Sequence, residues 1–88
     1  KETFVQIFGN RCKCCGGSFD SASYDFHHRN PAEKKFKISD TNYILNQETL
    51  EELNKCDLLC KNCHAALHAG SIKYDEFGGV YVKSDIIR

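Results

Sequence analysis

The 88-residue chain has no tryptophan, no methionine and a single proline, and its twelve basic and twelve acidic side chains cancel. The first two absences remove two of the usual large core fillers. A chain this short buries only about 60 to 65 % of its unfolded surface, so its core alone is marginal and something else must staple it. Cancelled charge leaves no overall field to draw the domain toward nucleic acid or an anionic membrane. No apolar run approaches the ~18 residues of a membrane helix, and no charged, apolar and small-residue series marks a signal peptide. The expectation is one domain over residues 1–88, with no membrane partner. Because the chain begins at Lys1 rather than an initiator Met, it is also expected to be part of a longer protein.

What the chain has in excess is ligand-type residues, six cysteines and four histidines. Six thiols paired as disulfides would allow 15 connectivities and imply a secreted protein. The spacing argues for metal instead. Cys12-x-x-Cys15 and Cys60-x-x-Cys63 are two knuckles, the first followed by Gly16-Gly17, a turn that lets backbone amides fold around a bound thiolate. Together they supply the four sulfurs of a tetrahedral structural zinc site, which implies a reducing, cytoplasmic setting. The run Cys60-Lys61-Asn62-Cys63-His64 also matches covalent haem attachment, but a haem site would leave the second knuckle unexplained. Cys14 reads as a bystander, and Cys56, alternating with Leu58, as a small buried hydrophobe on a strand.

A coarse pass places these ligands on elements. Phe4, Val5, Ile7 and Phe8 do not alternate and precede Gly9, which predicts a short helix stopped by glycine. The aromatic-rich stretch 23–29 predicts a strand ended by Asn30-Pro31, with a long loop after it. Asn46 predicts the cap of a helix over 47–54, with Leu50 and Leu53 on its buried face. Residues 56–59 read as a second strand, 61–69 as a helix stopped by Gly70, and 72–74 with 80–82 as a closing hairpin around Gly78-Gly79.

All four histidines fall in two pairs, His27-His28 at the end of the first strand and His64-x-x-x-His68 on the last helix. An i, i+4 pair points two imidazoles at one spot, a common chelating arrangement. At ~100° per residue, the cysteines and histidines of that helix lie on neighbouring faces, a closed sulfur site beside an open imidazole site. Charge is also unevenly spread. Residues 1–37 carry seven basic against four acidic side chains, with the positive excess at Arg29, Lys34, Lys35 and Lys37.

These pieces resemble the HNH endonucleases, whose core is a zinc-knuckled hairpin and helix, the ββα-metal finger. The resemblance rests on Cys12-x-x-Cys15-Gly16, on Asp25-Phe26-His27-His28-Arg29-Asn30-Pro31, and on Leu58-Leu59-Cys60-x-x-Cys63-His64-x-x-x-His68. It covers residues 12–70 and looks most like the short members encoded by bacteriophages and related mobile elements. It implies a small, zinc-stapled α+β fold, a treble-clef-like finger with flanking helices and a C-terminal hairpin. It also implies that His28 is the general base and that His27, His64 and His68 hold a catalytic ion. The family's usual Asn five residues before the third zinc cysteine is here Lys55, as in some phage-type members, which leaves the residue that orients His28 unassigned.

The residue chemistry fits this reading. Cutting a phosphodiester needs a base for water, a cation, and neutralisation of the flanking backbone. An imidazole, titrating near ~6.5, is poised as a base at neutral pH. Arg29, Lys34, Lys35 and Lys37 suit phosphate contacts. Three imidazoles favour Mn2+, Co2+ or Ni2+ over Mg2+, unless Asp25 joins them from the same strand face. The expected function is therefore a metal-dependent DNA endonuclease or nickase, for which the resemblance implies a 5′ phosphate and a 3′ hydroxyl; an RNase is the less favoured third reading. The rival is a non-catalytic treble-clef zinc module that binds nucleic acid or protein.

Overall fold

The computed structural model describes residues 1–83, and each regular element starts or stops where a local residue requires it. Helix α1 (Glu2–Ile7) gives way to Gly9 and Asn10, both at positive φ, which turn the chain into the first cysteine knuckle. Helix α2 (Gln47–Leu53) is capped by Asn46, whose side-chain oxygen accepts from the Thr49 amide at 2.9 Å. Helix α3 (Lys61–Ala69) ends at Gly70 in the left-handed region, and the Gly70 and Ser71 amides close its last turn on Leu67 and Ala66.

Strands β1 (Tyr24–His28) and β2 (Cys56–Cys60) pair antiparallel, with Tyr24 opposite Cys60 and His28 opposite Cys56. Cross-strand partners share a face. Tyr24, Phe26 and His28 therefore lie with Cys56, Leu58 and Cys60, whereas Asp25 and His27 lie on the other face with Asp57 and Leu59. A second hairpin, β3 (Ile72–Asp75) and β4 (Val80–Lys83), follows α3 and packs on it. Chain order is thus helix, knuckle, strand, helix, strand, helix, hairpin, a small α+β fold. No helix among the described residues is long and apolar enough to cross a membrane.

Two apolar clusters clothe the β1–β2 pair. One gathers Val5, Tyr24, Leu58, Leu59 and Tyr81 around Cys12, Cys60 and Cys63. The other sets Phe4, Ile38, Leu53 and Cys56 beneath α1 and α2. The fully buried Tyr24 also ties the loops together, because its hydroxyl accepts from the Phe19 amide at 2.8 Å and donates to the Asn10 carbonyl at 3.1 Å. The stretch expected to be a long loop holds two short 3-10 turns, Pro31–Glu33 and Ile38–Thr41.

The expected buried face of α2 needs a correction. Leu53 is buried, but Leu50 is exposed, and the inward stripe is Thr49, Glu52 and Leu53. Three polar partners draw Glu52 inward, which turns the helix so that Leu50 faces out. Cys56 is buried as expected, and burial, reinforced by nearby Glu52, pushes its thiol up to about 12.

Candidate functional site

The ligand-type sulfurs of Cys12, Cys15, Cys60 and Cys63 all lie within 4.8 Å of one another. Thiolates held at ~2.3 Å by one tetrahedral ion stand roughly 3.8 Å apart, and Cys15 Sγ and Cys60 Sγ are at 3.9 Å. Backbone amides point at the sulfurs: Cys15 and Cys60 donate to Cys12 Sγ at 3.5 and 3.3 Å, Gly17 to Cys15 Sγ at 3.4 Å, and Cys63 to Cys60 Sγ at 3.5 Å. Burial raises the Cys12 thiol, but the amides of Cys15, Cys60 and Cys14 outweigh it and bring the thiol down to about 7. Burial and then the adjoining sulfurs of Cys60, Cys14 and Cys12 push Cys63 up, the response of crowded thiols that a shared cation would relieve. The cluster could hold a structural metal ion such as zinc. It would join the first knuckle, the end of β2 and the N-cap of α3, so that one ion locks the hairpin to the helix.

Beyond this cluster, on the Asp25 face of β1, α3 brings up its histidines. His64 Nδ1 donates to Asp25 Oδ2 at 2.9 Å, and Lys61 Nζ donates to Asp25 Oδ1 at 3.0 Å. Burial raises the Asp25 carboxyl, but these two bonds outweigh it and hold it below the usual carboxylate range. With Nδ1 donating to Asp25, the neutral His64 ring has its lone pair on Nε2. That atom lies 3.1 Å from His68 Nε2, a spacing suited to two nitrogens at ~2.1 Å from one ion. The His27 ring stands 5.5 Å from that of His64 and 6.2 Å from that of Tyr81, centre to centre. Burial, and then the neighbouring His64 and His68, lower His27 below the ordinary imidazole value. The imidazole cluster is looser than the sulfur cluster: it does not form a group of three or more ligand atoms all within 4.8 Å of one another.

His28 lies on the opposite face of β1 and is buried. Its Nε2 is 2.8 Å from Glu52 Oε2, and the same oxygen accepts from the Lys35 amide at 3.0 Å. Lys55 Nζ donates to Glu52 Oε1 at 2.9 Å and to the Glu33 carbonyl at 3.0 Å. Glu52, 1 % exposed, would be pushed up by burial, but the Lys35 amide, Lys55 and His28 together bring it down to about 2. Sequence reasoning missed Glu52. The available signal was its place one turn before Cys56, the residue that pairs with His28.

A cleft of about 380 Å³ is lined by Tyr24, Asp25, Phe26 and His28 of β1, by His64, and by Lys34, Lys37, Ile38, Ser39 and Tyr43 from the connecting segment. Because it draws residues from both faces of β1, it runs along the strand edge that β2 leaves unpaired. Of the four basic residues singled out from sequence, Lys34 and Lys37 line the cleft and are exposed. Lys35 is exposed, with its amide on Glu52. Arg29 is committed elsewhere: its guanidinium donates to the Cys56 and Asn54 carbonyls and to Asp57 Oδ1 at 3.0 Å. It fastens the end of β1 to β2.

No protein-family model, curated protein or solved structure matches the chain.

The Glu52 network makes stability depend on pH. A carboxyl whose folded pKa of about 2 lies below its reference value of 4.5 stabilises the fold fully above pH 4.5 and loses that contribution as pH falls toward 2. Glu52→Gln removes the charge at every pH. Chemical denaturation is expected to find the variant about 3 kcal/mol less stable at pH 7, with the gap closing below pH 4.5. Protons also displace metal from thiolates in acid, so the two proteins are compared at each pH where both still melt cooperatively. A gap independent of pH would mean that the carboxyl is not ionised in the fold.

Proposed function

We propose that the chain is a metal-dependent DNA endonuclease or nickase of the HNH type, in which β1, β2 and α3 form a ββα-metal finger stapled by zinc on the four cysteines. The observation that carries this reading is that Asp25 and His27 of β1 meet His64 and His68 of α3 beside a cleft that also holds His28 and two lysines. A divalent cation on the imidazoles would supply charge stabilisation for the phosphoryl oxygens and leaving group. His27, His64 and His68 would be its holders, with Asp25 orienting His64 from behind. His28 takes the proton of the attacking water. Lys34 and Lys37 hold the flanking backbone without reading bases. The resemblance to the HNH endonucleases implies a 5′ phosphate and a 3′ hydroxyl as products.

Supercoiled plasmid incubated with the zinc-loaded protein is expected to be nicked when a second divalent ion is added. Activity should be higher with Mn2+, Co2+ or Ni2+ than with Mg2+ at equal concentration, because the holders are nitrogens and both Asp25 oxygens are engaged with Lys61 and His64. A module that only binds would leave the plasmid intact under all four ions. Strong cutting with Mg2+ alone would mean that an oxygen ligand completes the site and that one of the three histidines is outside it.

A further inference from the structure

The buried carboxylate of Glu52 has no part in the chemistry above, yet it touches two parts of it. Its Oε2 faces His28 Nε2 and the amide of Lys35, which sits between cleft-lining Lys34 and Lys37. Its Oε1 faces Lys55, which also reaches the Pro31–Glu33 turn through the Glu33 carbonyl. A carboxylate only accepts hydrogen bonds, so the imidazole presents a proton at Nε2, and the neutral ring then has its lone pair at Nδ1.

We infer that Glu52 is the positioning residue of the site: it fixes His28 as the Nε2–H tautomer with Nδ1 as the proton acceptor, and through the Lys35 amide it anchors the lysine segment over the cleft. The inference rests on the nuclease reading for its function but not for its geometry. It assigns the orienting role that the family's usual Asn leaves open here. Lys55, standing at that Asn position, acts one step removed by holding Glu52.

The chemistry of an amide provides the test. In Glu52→Gln the Lys55 ammonium claims the amide oxygen, which turns the NH2 group toward His28 and the Lys35 N–H. A donor facing Nε2 drives the proton to Nδ1 and removes the base, while the clash with the Lys35 amide loosens the lysine segment. Adding Lys55→Met frees the side-chain amide to rotate and offer its oxygen to both groups again. Two measurements are made on zinc-loaded proteins at pH 8, where ordinary imidazoles are neutral: plasmid nicking with Mn2+, and nitrogen-15 NMR of the His28 ring.

Glu52→Gln is expected to lose about 10²-fold in kcat and to raise KM several-fold, with its His28 ring proton moved to Nδ1. The double variant should regain at least a tenth of wild-type kcat and return the proton to Nε2. A merely structural role would make the double variant worse than the single one, because it removes one more buried partner, and that result overturns the inference. So would wild-type kcat in Glu52→Gln, or a wild-type His28 carrying its proton on Nδ1. If the wild-type protein nicks no plasmid, the nuclease reading falls by itself. The ring spectra then decide the positioning alone, the proton shift from Nε2 to Nδ1 in Glu52→Gln upholding it and an unmoved proton sinking it.

Discussion

Cys63→Ser is expected to unfold most of the domain rather than merely weaken it. The four sulfurs join residues that are far apart in sequence, Cys12 and Cys15 with Cys60 and Cys63, at the N-cap of α3 and the end of β2. A structural zinc binds with of order 10 kcal/mol or more, as much as the whole folding free energy of a typical small domain. The core beside it is thin: the larger cluster contains three of these same cysteines. Circular dichroism should show loss of the cooperative transition, and metal analysis should fall from about one tightly held zinc per chain to none. A strong chelator added to the wild-type protein should reproduce the variant. Cys14→Ser should melt like wild type, since Cys14 stands outside the set of four. A Cys63→Ser protein that kept its zinc and its cooperative melt would hand the fourth position to Cys14, whose thiol lies against Cys63.

The elements nearest the cysteine and histidine clusters were the most legible from sequence, because their signals are local. A knuckle spacing, an Asn cap, a Gly stop and a His pair at i, i+4 each depend on a few consecutive residues. Helix α3 falls on the expected residues, and the strands and α2 differ by a residue or two at their ends. Which side chains meet across elements was less legible. The buried face of α2 was misread because hydrophobicity alone favours Leu50. The actual choice is made by partners on three other segments, the Lys35 amide, the Lys55 ammonium and the His28 ring, and none of these is visible in the helix's own periodicity. Arg29 illustrates the same limit. Next to His28 and near three lysines it reads as one of a phosphate-binding group. Strand register instead brings it beside Asp57 and the Cys56 carbonyl, where a guanidinium is worth more as a fastener between strands than as a free charge.

Loss of the His28 imidazole is expected to remove cutting while leaving the metal sites filled. On the proposed nuclease reading, His28→Ala deletes the group assigned to receive the water proton, and general-base catalysis of this kind contributes about 10²- to 10⁴-fold. The substitution touches neither the cysteine nor the imidazole cluster: the four sulfurs gather at the far end of the β1–β2 pair, where Cys60 faces Tyr24, and His27, on the opposite face of β1, keeps its neighbours His64 and Tyr81. It does leave Glu52 with two partners, the Lys35 amide and Lys55, in place of three. A stability loss of about 1 to 2 kcal/mol is expected, too little to unfold the zinc-loaded protein. Zinc content and cooperative melting should therefore stay near wild type while the initial nicking rate with Mn2+ drops by two orders of magnitude or more. His64→Ala should differ in kind. On the same reading it removes a proposed holder of the second ion and frees Asp25, so its nicking defect should lessen as Mn2+ is raised, whereas the His28→Ala defect should persist at saturating metal. The two responses separate proton transfer from ion binding. A His28→Ala protein that cuts at close to the wild-type rate would remove the base assignment and shift attention to water activated at the cation alone.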